Sequence, residues 1–302
     1  MGSEAAAAND RSSATAETAD AAVAIDAYDV IGYQAAAGGA SGHIHAAVRS
    51  MLRGFGPVDL GPGLHLPRFV IVEANGMLQL RINGVVAQED RDLLSSLMAL
   101  ESNLLGAALG QRDDLFQLHG AALCAPTRPA GLVLAGDSGS GKTTLALALM
   151  LRGFVPFTDD VAIADRTTFE LQAMRRAFHV SDDTRRLAAT VAGGSLGWED
   201  HIVEGSFSPP QWAERPVPIR WVLFVEYKAE HRQPQLIPMS PSEAAAAILG
   251  QTLNLSRTAR LTLSATARLI EVARVFRFLT GDLEDSVAAV QRLVAEPSPR
   301  GV

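Results

Sequence analysis

The pattern of hydrophobic and polar residues changes character near residue 110 of this chain. Before that point, FVIVEANGMLQLRING alternates around Asn75-Gly76, which predicts a hairpin of Val70–Val72 with Leu78–Ile82. Leucines at helical spacing then predict a helix over Glu89–Leu109. These elements predict a small N-terminal α/β unit over residues 26–110.

From Leu118 onward, apolar strands alternate with helices. The predicted strands are LHGAALCA, GLVLAG, Phe154–Phe157, Val161–Ile163, Trp221–Tyr227 and VFRFL. The predicted helices are TTLALALMLRG, which stops at Gly153, Ser242–Leu255, Leu261–Ala273, and a last helix capped by Asp282 that runs to about Val294. Such alternation is typical of an α/β domain, here residues 111–302, with a largely parallel central sheet and helices on both faces. Gly193–Pro218 is rich in Gly, Pro and Ser, which predicts a mobile loop.

The composition favours a globular, cytoplasmic protein and narrows its partners. Hydrophobic residues make up 48% and charged residues 20% of the 302 residues, and the net charge of −7 gives no support for a nucleic-acid or anionic-membrane partner. No uninterrupted apolar run reaches the length of a membrane span. Residues 1–25 are rich in Ala, Ser and Asp and carry no secretory pattern, so we expect a disordered leader. The single Cys124 excludes an internal disulfide.

The strongest chemical signal is GDSGSGKT, which satisfies the phosphate-loop pattern G-x-x-x-x-G-K-[ST] between a predicted strand and a predicted helix. Glycines let backbone amides surround phosphates, and the helix N-terminus adds positive potential. Lys142 reaches the β- and γ-phosphates, and the Thr143 hydroxyl ligates Mg²⁺. The predicted ATP-binding residues are Gly136, Asp137, Ser138, Gly139, Ser140, Gly141, Lys142, Thr143 and Thr144.

An acidic pair, Asp159-Asp160, follows Lys142 by only 17 and 18 residues. Alone, such a pair is typical of a solvated turn. At this distance from a phosphate loop, two carboxylates favour a division of labour in which one holds the metal and the other accepts a hydroxyl proton. His119 precedes Gly136 by 17 residues, at the start of the pair of strands that leads to the loop. A histidine in an apolar strand is more often structural, but LHG, the loop and the acidic pair together form a constellation.

LHGAA, GDSGSGKTTLALALMLRGF and FTDDVAIA resemble the C-terminal catalytic domain of HPr kinase/phosphorylase and the HPr-kinase-related proteins, over about Leu118–Ile163. The resemblance implies a phosphate-loop core of the HPr kinase and phosphoenolpyruvate carboxykinase type with a mixed central sheet. It implies that Asp159 is the base that deprotonates a serine hydroxyl, and that Asp160 assists with Mg²⁺. It implies that His119 orients Asp159 or relays its proton. It also implies a homo-oligomer.

The chain departs from this family after the acidic pair, where an EIRGLGI-like segment is replaced by AMRRAFHVSDDTRRLAA. The resemblance therefore does not extend to phosphorolysis of phosphoserine or to HPr as the substrate. Related kinases accompany biosynthetic clusters for ribosomally made peptides, including lasso peptides, where they phosphorylate a serine of the precursor.

Four arginines within this segment, Arg175, Arg176, Arg185 and Arg186, bracket FHV and a second acidic pair, Asp182-Asp183, and two interpretations of them stay open. In the first, one arginine neutralises charge on the transferred phosphoryl group, and Arg176 together with His179 is the choice for this role. In the second, all four belong to a solvated, salt-bridged surface. Glu199, Asp200 and His201 either close over an acceptor or form an exposed polar loop.

The sequence thus predicts an ATP-dependent serine kinase that acts on a protein or peptide with Mg²⁺. The catalytic residues are Asp159, His119, Lys142 and Arg176, and the metal ligands are Thr143 and Asp160. Two alternatives are a small-molecule kinase or ATP hydrolase, and a non-catalytic nucleotide-sensing module.

Overall fold

The computed structural model describes residues 23–59, 64–192, 202–203, 205–228 and 230–296. The chain divides into two compact units between Gln111 and Arg112. The first strand begins at Ala24, so it overlaps the end of the leader expected at residues 1–25, and residues 1–22 of that leader lie outside the described residues.

Over its described residues, the first unit has a five-stranded sheet and two helices. Its strands, in the spatial order of the sheet, are β1 (Ala24–Val30), β2 (Tyr33–Gly39), β3 (Arg68–Ala74), β4 (Met77–Ile82) and β5 (Val85–Asp90). Its helices are α1 (Gly42–Met51) and α2 (Leu93–Gly110). β2 and β3 are parallel, since α1 lies between them in the chain, and the other pairs are antiparallel.

Of two predictions for the first unit, the structure confirms one and shifts the start of the other. The hairpin around Asn75-Gly76 is confirmed, with positive φ at both residues, although its strands β3 and β4 are longer than predicted. The helix predicted from Glu89 begins only at Leu93, because Glu89 belongs to β5. Asp92 sets this start, since its side chain accepts a hydrogen bond from the backbone N of Ser95 at 2.7 Å.

By length and composition alone, one helix among the described residues, α2, is apolar enough to cross a membrane. This differs from the expectation that no apolar run reaches a membrane span. One such helix is weak support for a span, because core helices meet the same test, and 44% of this stretch is buried inside the structure. Its buried residues include the acidic Glu101 beside Leu100 and Leu104.

The second unit carries an eight-stranded sheet, a small three-stranded sheet and five helices among its described residues. The strands of the large sheet are β6 (Leu115–Cys124), β7 (Gly131–Ala135), β8 (Val155–Thr158), β9 (Val161–Asp165), β10 (Glu170–Gln172), β14 (Val217–Tyr227), β15 (Gln235–Pro238) and β16 (Arg274–Thr280). The small sheet has β11 (Phe178–His179), β12 (Ile202–Val203) and β13 (Ser206–Phe207). The helices are α3 (Lys142–Met150), α4 (Asp182–Ala192), α5 (Pro241–Gly250), α6 (Leu255–Val272) and α7 (Leu283–Ala295).

The large sheet is mixed rather than largely parallel. Its order is β10-β9-β6-β7-β14-β16-β15, with β8 also paired to β6, and only β14 with its neighbours β7 and β16 is parallel. The prediction of a largely parallel sheet from the sequence pattern was wrong for a simple reason. Residues 125–130 between β6 and β7 are too few for a helical crossover, so these strands form an antiparallel hairpin.

Helices cover both faces of this sheet, as predicted. One face packs on α3 and α7, and the other packs on α5 and α6. Successive residues of β7 alternate between the two cores, with Leu132 and Leu134 in one and Val133 and Ala135 in the other. β7 is therefore buried on both faces.

Several boundaries in the second unit differ from the predictions. The predicted helices Ser242–Leu255 and Leu261–Ala273 are α5 and α6, and the first of these starts at a capping box in which Ser240 and Glu243 bond each other's backbone. Asp282 stands at the N-cap of α7, but its side chain makes no capping hydrogen bond. The loop predicted over Gly193–Pro218 contains β12, β13 and the start of β14, while residues 193–201 and 204 lie outside the described residues.

Candidate active site

The GDSGSGKT segment forms a glycine-dependent turn between the end of β7 and the start of α3. Gly136, Gly139 and Gly141 all have positive φ, of 136°, 79° and 93°. A Cβ on Gly136 would lie 2.7 Å from the carbonyl oxygen of Val225, closer than real Cβ contacts. The turn therefore requires glycine for its backbone conformation and, at Gly136, also for space.

The ammonium of Lys142 is held inside this turn. The residue is only 6% exposed, and its Nζ donates to the carbonyl oxygens of Gly136 at 2.8 Å and Asp137 at 2.9 Å. Burial lowers the pKa of Lys142, while the carboxylates of Asp160, Asp159 and Asp137 oppose that shift. The loop thus holds a partly desolvated cation where the phosphate-loop motif places the β- and γ-phosphates.

Strand pairing brings the acidic pair to the loop. β8 and β9 both pair antiparallel with β6, and Asp159-Asp160 lies at the break between them, where Thr158 pairs with Ala122 and Val161 with His119. On the other edge of β6, Gly120 pairs with Ala135, the last residue before the phosphate loop. Residues 119 and 120 of β6 therefore lie between the two acidic residues and the root of the loop.

Asp159 is a buried carboxylate in contact with the loop. It is 1% exposed, its Oδ1 accepts a hydrogen bond from Thr143 Oγ1 at 3.3 Å, and its Oδ2 is buried without a hydrogen-bond partner. Burial, and next the charge of Asp160, raise the pKa of Asp159 to about 7, although Arg176 and His179 oppose the shift. This carboxylate can accept a proton near neutral pH, unlike an ordinary aspartate with a pKa of about 3.9.

Asp160 is paired with Arg176. Its Oδ2 accepts a hydrogen bond from Arg176 Nη1 at 2.7 Å, and its backbone oxygen accepts one from Gly120 N at 2.8 Å. Asp160 also has a positive φ of 61°, a conformation that aspartate adopts more readily than most residues. The pairing places a guanidinium beside the two carboxylates.

Among the four arginines considered from the sequence, Arg176 is the one that enters this site. It is 9% exposed, whereas Arg175 is exposed. Arg185 and Arg186 form exposed ion pairs with Asp182 and Asp183 within α4, as the surface interpretation predicted for them. The predicted Glu199, Asp200 and His201 lie outside the described residues.

The two predicted histidines differ in their surroundings. His119 is half-buried in β6; burial, and next the charge of Lys142, lower its pKa, and Asp160 opposes the shift. His179 lies in β11, and its charge lowers the pKa of Asp159. A neutral His119 beside the acidic pair is compatible with the orienting role that the resemblance implies for it.

Two contacts of the loop were not predicted. Gln251, the residue after α5, donates from Nε2 to Asp137 Oδ1 at 3.1 Å. The hydroxyl oxygens of Thr144 and Thr184 lie 3.3 Å apart, which links the start of α3 to α4. Neither Gln251 nor Thr184 belongs to a recognisable motif, so no signal in the sequence pointed to them.

The donors at the site fit a magnesium ion that arrives with a nucleotide. Thr143 offers a hydroxyl, and Asp159 and Asp160 offer carboxylates, all of them oxygen donors of the kind Mg²⁺ prefers. Over the described part of the chain, no group of three or more His, Cys, Asp or Glu residues could hold a metal ion by itself. Mg²⁺ in nucleotide sites usually takes one or two carboxylates and completes its shell with phosphate oxygens and water, so a sparse set is the expected one.

Comparisons with known proteins add little to this geometry. No protein-family model matches the chain, and no curated protein matches it. Among solved structures, the chain is similar to the HPr(Ser) kinase/phosphatase from Coxiella burnetii, with 12% sequence identity and a TM-score of 0.28 over 59% of this chain and 97% of that one. A TM-score of this size does not by itself establish a common fold.

Proposed function

We propose that this protein is an ATP-dependent kinase that transfers the γ-phosphate to a serine hydroxyl of a protein or peptide. The observation that carries the proposal is the Asp159 carboxylate, which is buried, unpartnered at Oδ2 and in contact with Thr143 of the phosphate loop. An ATP-binding loop alone is compatible with many activities. A proton acceptor buried against its reactive end favours transfer to a hydroxyl group.

The loop residues would bind and orient the nucleotide. The backbone of the glycine turn and the N-terminus of α3 would surround the phosphates, and Lys142 would exchange its two carbonyl partners for phosphate oxygens. Mg²⁺, held by Thr143 and Asp160, would supply charge neutralisation on the β- and γ-phosphate oxygens. Arg176 would hold Asp160 in place through their ion pair.

Asp159 would act as the general base. The serine hydroxyl oxygen forms a bond to the γ-phosphorus, the bond from that phosphorus to the β–γ bridging oxygen breaks, and the hydroxyl proton goes to Asp159 Oδ2. ADP leaves with the bridging oxygen. His119, which is half-buried in β6 and pairs with Val161 next to the acidic pair, would orient Asp159 or carry its proton away.

The test is a transfer assay with γ-labelled ATP, Mg²⁺ and candidate acceptors, including precursor peptides encoded next to this gene, read by mass spectrometry. Matched peptides with serine replaced by alanine identify the acceptor residue. We expect a phosphoserine product with the wild type and a loss of at least about 100-fold in rate for Lys142→Ala and Asp159→Asn.

The chain offers a matched control for each variant. Lys228 is the only other lysine and is exposed, and Asp183 belongs to an exposed acidic pair, so Lys228→Ala and Asp183→Asn should retain wild-type transfer. Rapid release of inorganic phosphate with every acceptor left unlabelled would show that the protein is an ATP hydrolase and not a kinase. Phosphorylation of small hydroxyl metabolites alone would show that the acceptor is a small molecule and not a peptide.

A further inference from the structure

Gln251 joins the phosphate loop to strand β6. Its Nε2 donates to Asp137 Oδ1 at 3.1 Å, and its backbone oxygen accepts a hydrogen bond from His119 N at 2.8 Å. A single residue from the end of α5 therefore contacts both the first polar residue of the loop and the strand that carries His119.

The sheet explains why a residue so distant in sequence lies here. β7 pairs with Gly120–Cys124 of β6 and leaves the sheet after Ala135 to form the loop. Residues 251–253 then pair with the next stretch of β6, since Leu118 bridges to Thr252 and the backbone N of Leu253 donates to Gln117 O at 2.9 Å. Gln251 therefore pairs with β6 at His119, the first residue of β6 beyond the end of its pairing with β7.

The backbone of Gln251 is anchored from two sides. Besides the bond from His119, its own N–H donates to the carbonyl oxygens of Ala247 and Ile248 at 3.2 Å each, which caps the end of α5. Ile248 is fully buried in the core on that face of the sheet. Such an anchored backbone lowers the entropic cost of the contact with Asp137, because only the side chain of Gln251 has to be ordered.

Asp137 is an exposed residue of the loop whose position affects both Lys142 and the space for phosphates. Its backbone oxygen accepts a hydrogen bond from the Lys142 ammonium at 2.9 Å, so Asp137 and Gly136 together hold that cation before the nucleotide binds. Its carboxylate carries a negative charge into a loop that must accept phosphates, which it repels if it turns toward them. A neutral amide donor can hold this carboxylate without adding charge to the site.

We propose that Gln251 is a positioning residue, which holds Asp137 and with it the first half of the phosphate loop in the shape that accepts the nucleotide. Gln251 then controls nucleotide affinity and the KM for ATP, and affects kcat little. This inference rests on the part of the proposed function that assigns the loop to ATP, and it is independent of the acceptor.

The test exchanges the two side-chain groups. Gln251→Glu places a carboxylate against Asp137, Asp137→Asn removes the negative charge, and the double variant Asp137→Asn with Gln251→Glu restores one hydrogen bond with donor and acceptor exchanged. By titration calorimetry with ATP and Mg²⁺, we expect Gln251→Glu to weaken binding about tenfold and the double variant to return within about threefold of the wild type. Gln235→Glu, the same change in the exposed strand β15 at the far edge of the sheet, should bind like the wild type.

Thermal unfolding without nucleotide separates positioning from general damage to the fold. A purely structural role would lower the melting temperature of Gln251→Glu without recovery of affinity in the double variant, and that result would overturn the inference. Equal ATP affinity in all variants would overturn it as well and leave the proposed kinase untouched. If the wild type binds no ATP, both proposals are wrong, whereas binding without transfer to any acceptor contradicts the kinase alone.

Discussion

At the scale of single residues, Asp159 shows a conflict between stability and function. Its carboxylate is completely buried, one of its oxygens has no hydrogen-bond partner, and Asp160 follows it directly. Such a group destabilises the folded state when it is ionised, because folding removes the charge from water. The proposed role of Asp159 as a proton acceptor accounts for such an unfavourable position.

This conflict predicts a pH-dependent gain in stability for Asp159→Asn. The folded pKa of about 7 lies above the unfolded value of 3.8, so the folded state binds the additional proton between these two values. The destabilisation by Asp159 is therefore absent below the lower value, grows through this window and is complete above about pH 7. One pKa unit corresponds to about 1.4 kcal/mol, so a shift of more than one unit predicts a melting temperature higher by several degrees for the variant at pH 8, with a smaller difference at pH 5.

Thermal unfolding followed by circular dichroism, without nucleotide or metal, measures this difference. Asp183→Asn, in the exposed pair with Arg186, serves as the control and should leave the melting temperature nearly unchanged at both pH values. A variant at Asp159 that is less stable than the wild type at pH 8 would show that the ionised carboxylate is well stabilised by its surroundings.

The residues that could be predicted from the sequence are those that lie in short local motifs. Lys142 and Thr143 belong to the phosphate-loop pattern, and Asp159 follows them after one helix, a turn and the short strand β8, so the motif and the resemblance pointed to all three, although it is the pairing of β8 and β9 with β6 that brings them together. Gln251 is 114 residues from its partner Asp137 and comes near only through the pairing of residues 251–253 with β6. A pattern of hydrophobic positions contains no information about such a contact.

At the scale of elements, the turn between β7 and α3 depends on its first glycine, Gly136. Its φ of 136° is strained for any other residue, and a Cβ would approach Val225 O to 2.7 Å. We predict that Gly136→Ala weakens ATP binding at least about tenfold, because the backbone at residue 136 must move and the amides of the turn then no longer surround the phosphates.

Calorimetric titration with ATP and Mg²⁺ checks this prediction, and a second glycine supplies the comparison. A Cβ on Gly106, inside α2, would meet nothing within 4 Å, so Gly106→Ala should keep ATP affinity and stabilise the helix by up to about 1 kcal/mol. Unchanged affinity in Gly136→Ala would mean that the turn reaches its phosphate-binding shape by another route.

Element types were easier to predict than their pairing. β7 and the core of β14 were recognised as buried strands because they are apolar on both faces, and they are indeed the parallel pair at the centre of the sheet. The direction of β6 was not recognised, since its apolar residues fit a parallel strand equally well. The short connection of residues 125–130 determines the hairpin, so loop length was the neglected signal.

At the scale of the whole molecule, the candidate site belongs to one of the two compact units. Every residue proposed to bind nucleotide or to act in transfer lies between His119 and Gln251, inside the unit that begins at Arg112. The described residues of the two cores that sandwich the large sheet belong to that unit. The first unit has its own sheet and helices, and the sequence suggested no chemistry for it.

This division predicts that residues 112–302 form a cooperatively folding fragment that binds ATP and Mg²⁺ within about threefold of the full chain. Calorimetric titration and thermal unfolding of the fragment check this, with the Lys142→Ala fragment as the control that should lose binding.

Transfer to an acceptor, measured in parallel, tests whether the first unit recognises the acceptor. Unchanged transfer by the fragment confines acceptor recognition to the second unit, whereas lost transfer with intact ATP binding assigns it to the first. A fragment that folds but fails to bind ATP would show that the nucleotide site needs residues 1–111, contrary to the geometry that connects Asp137, Lys142 and Asp159 within a single unit.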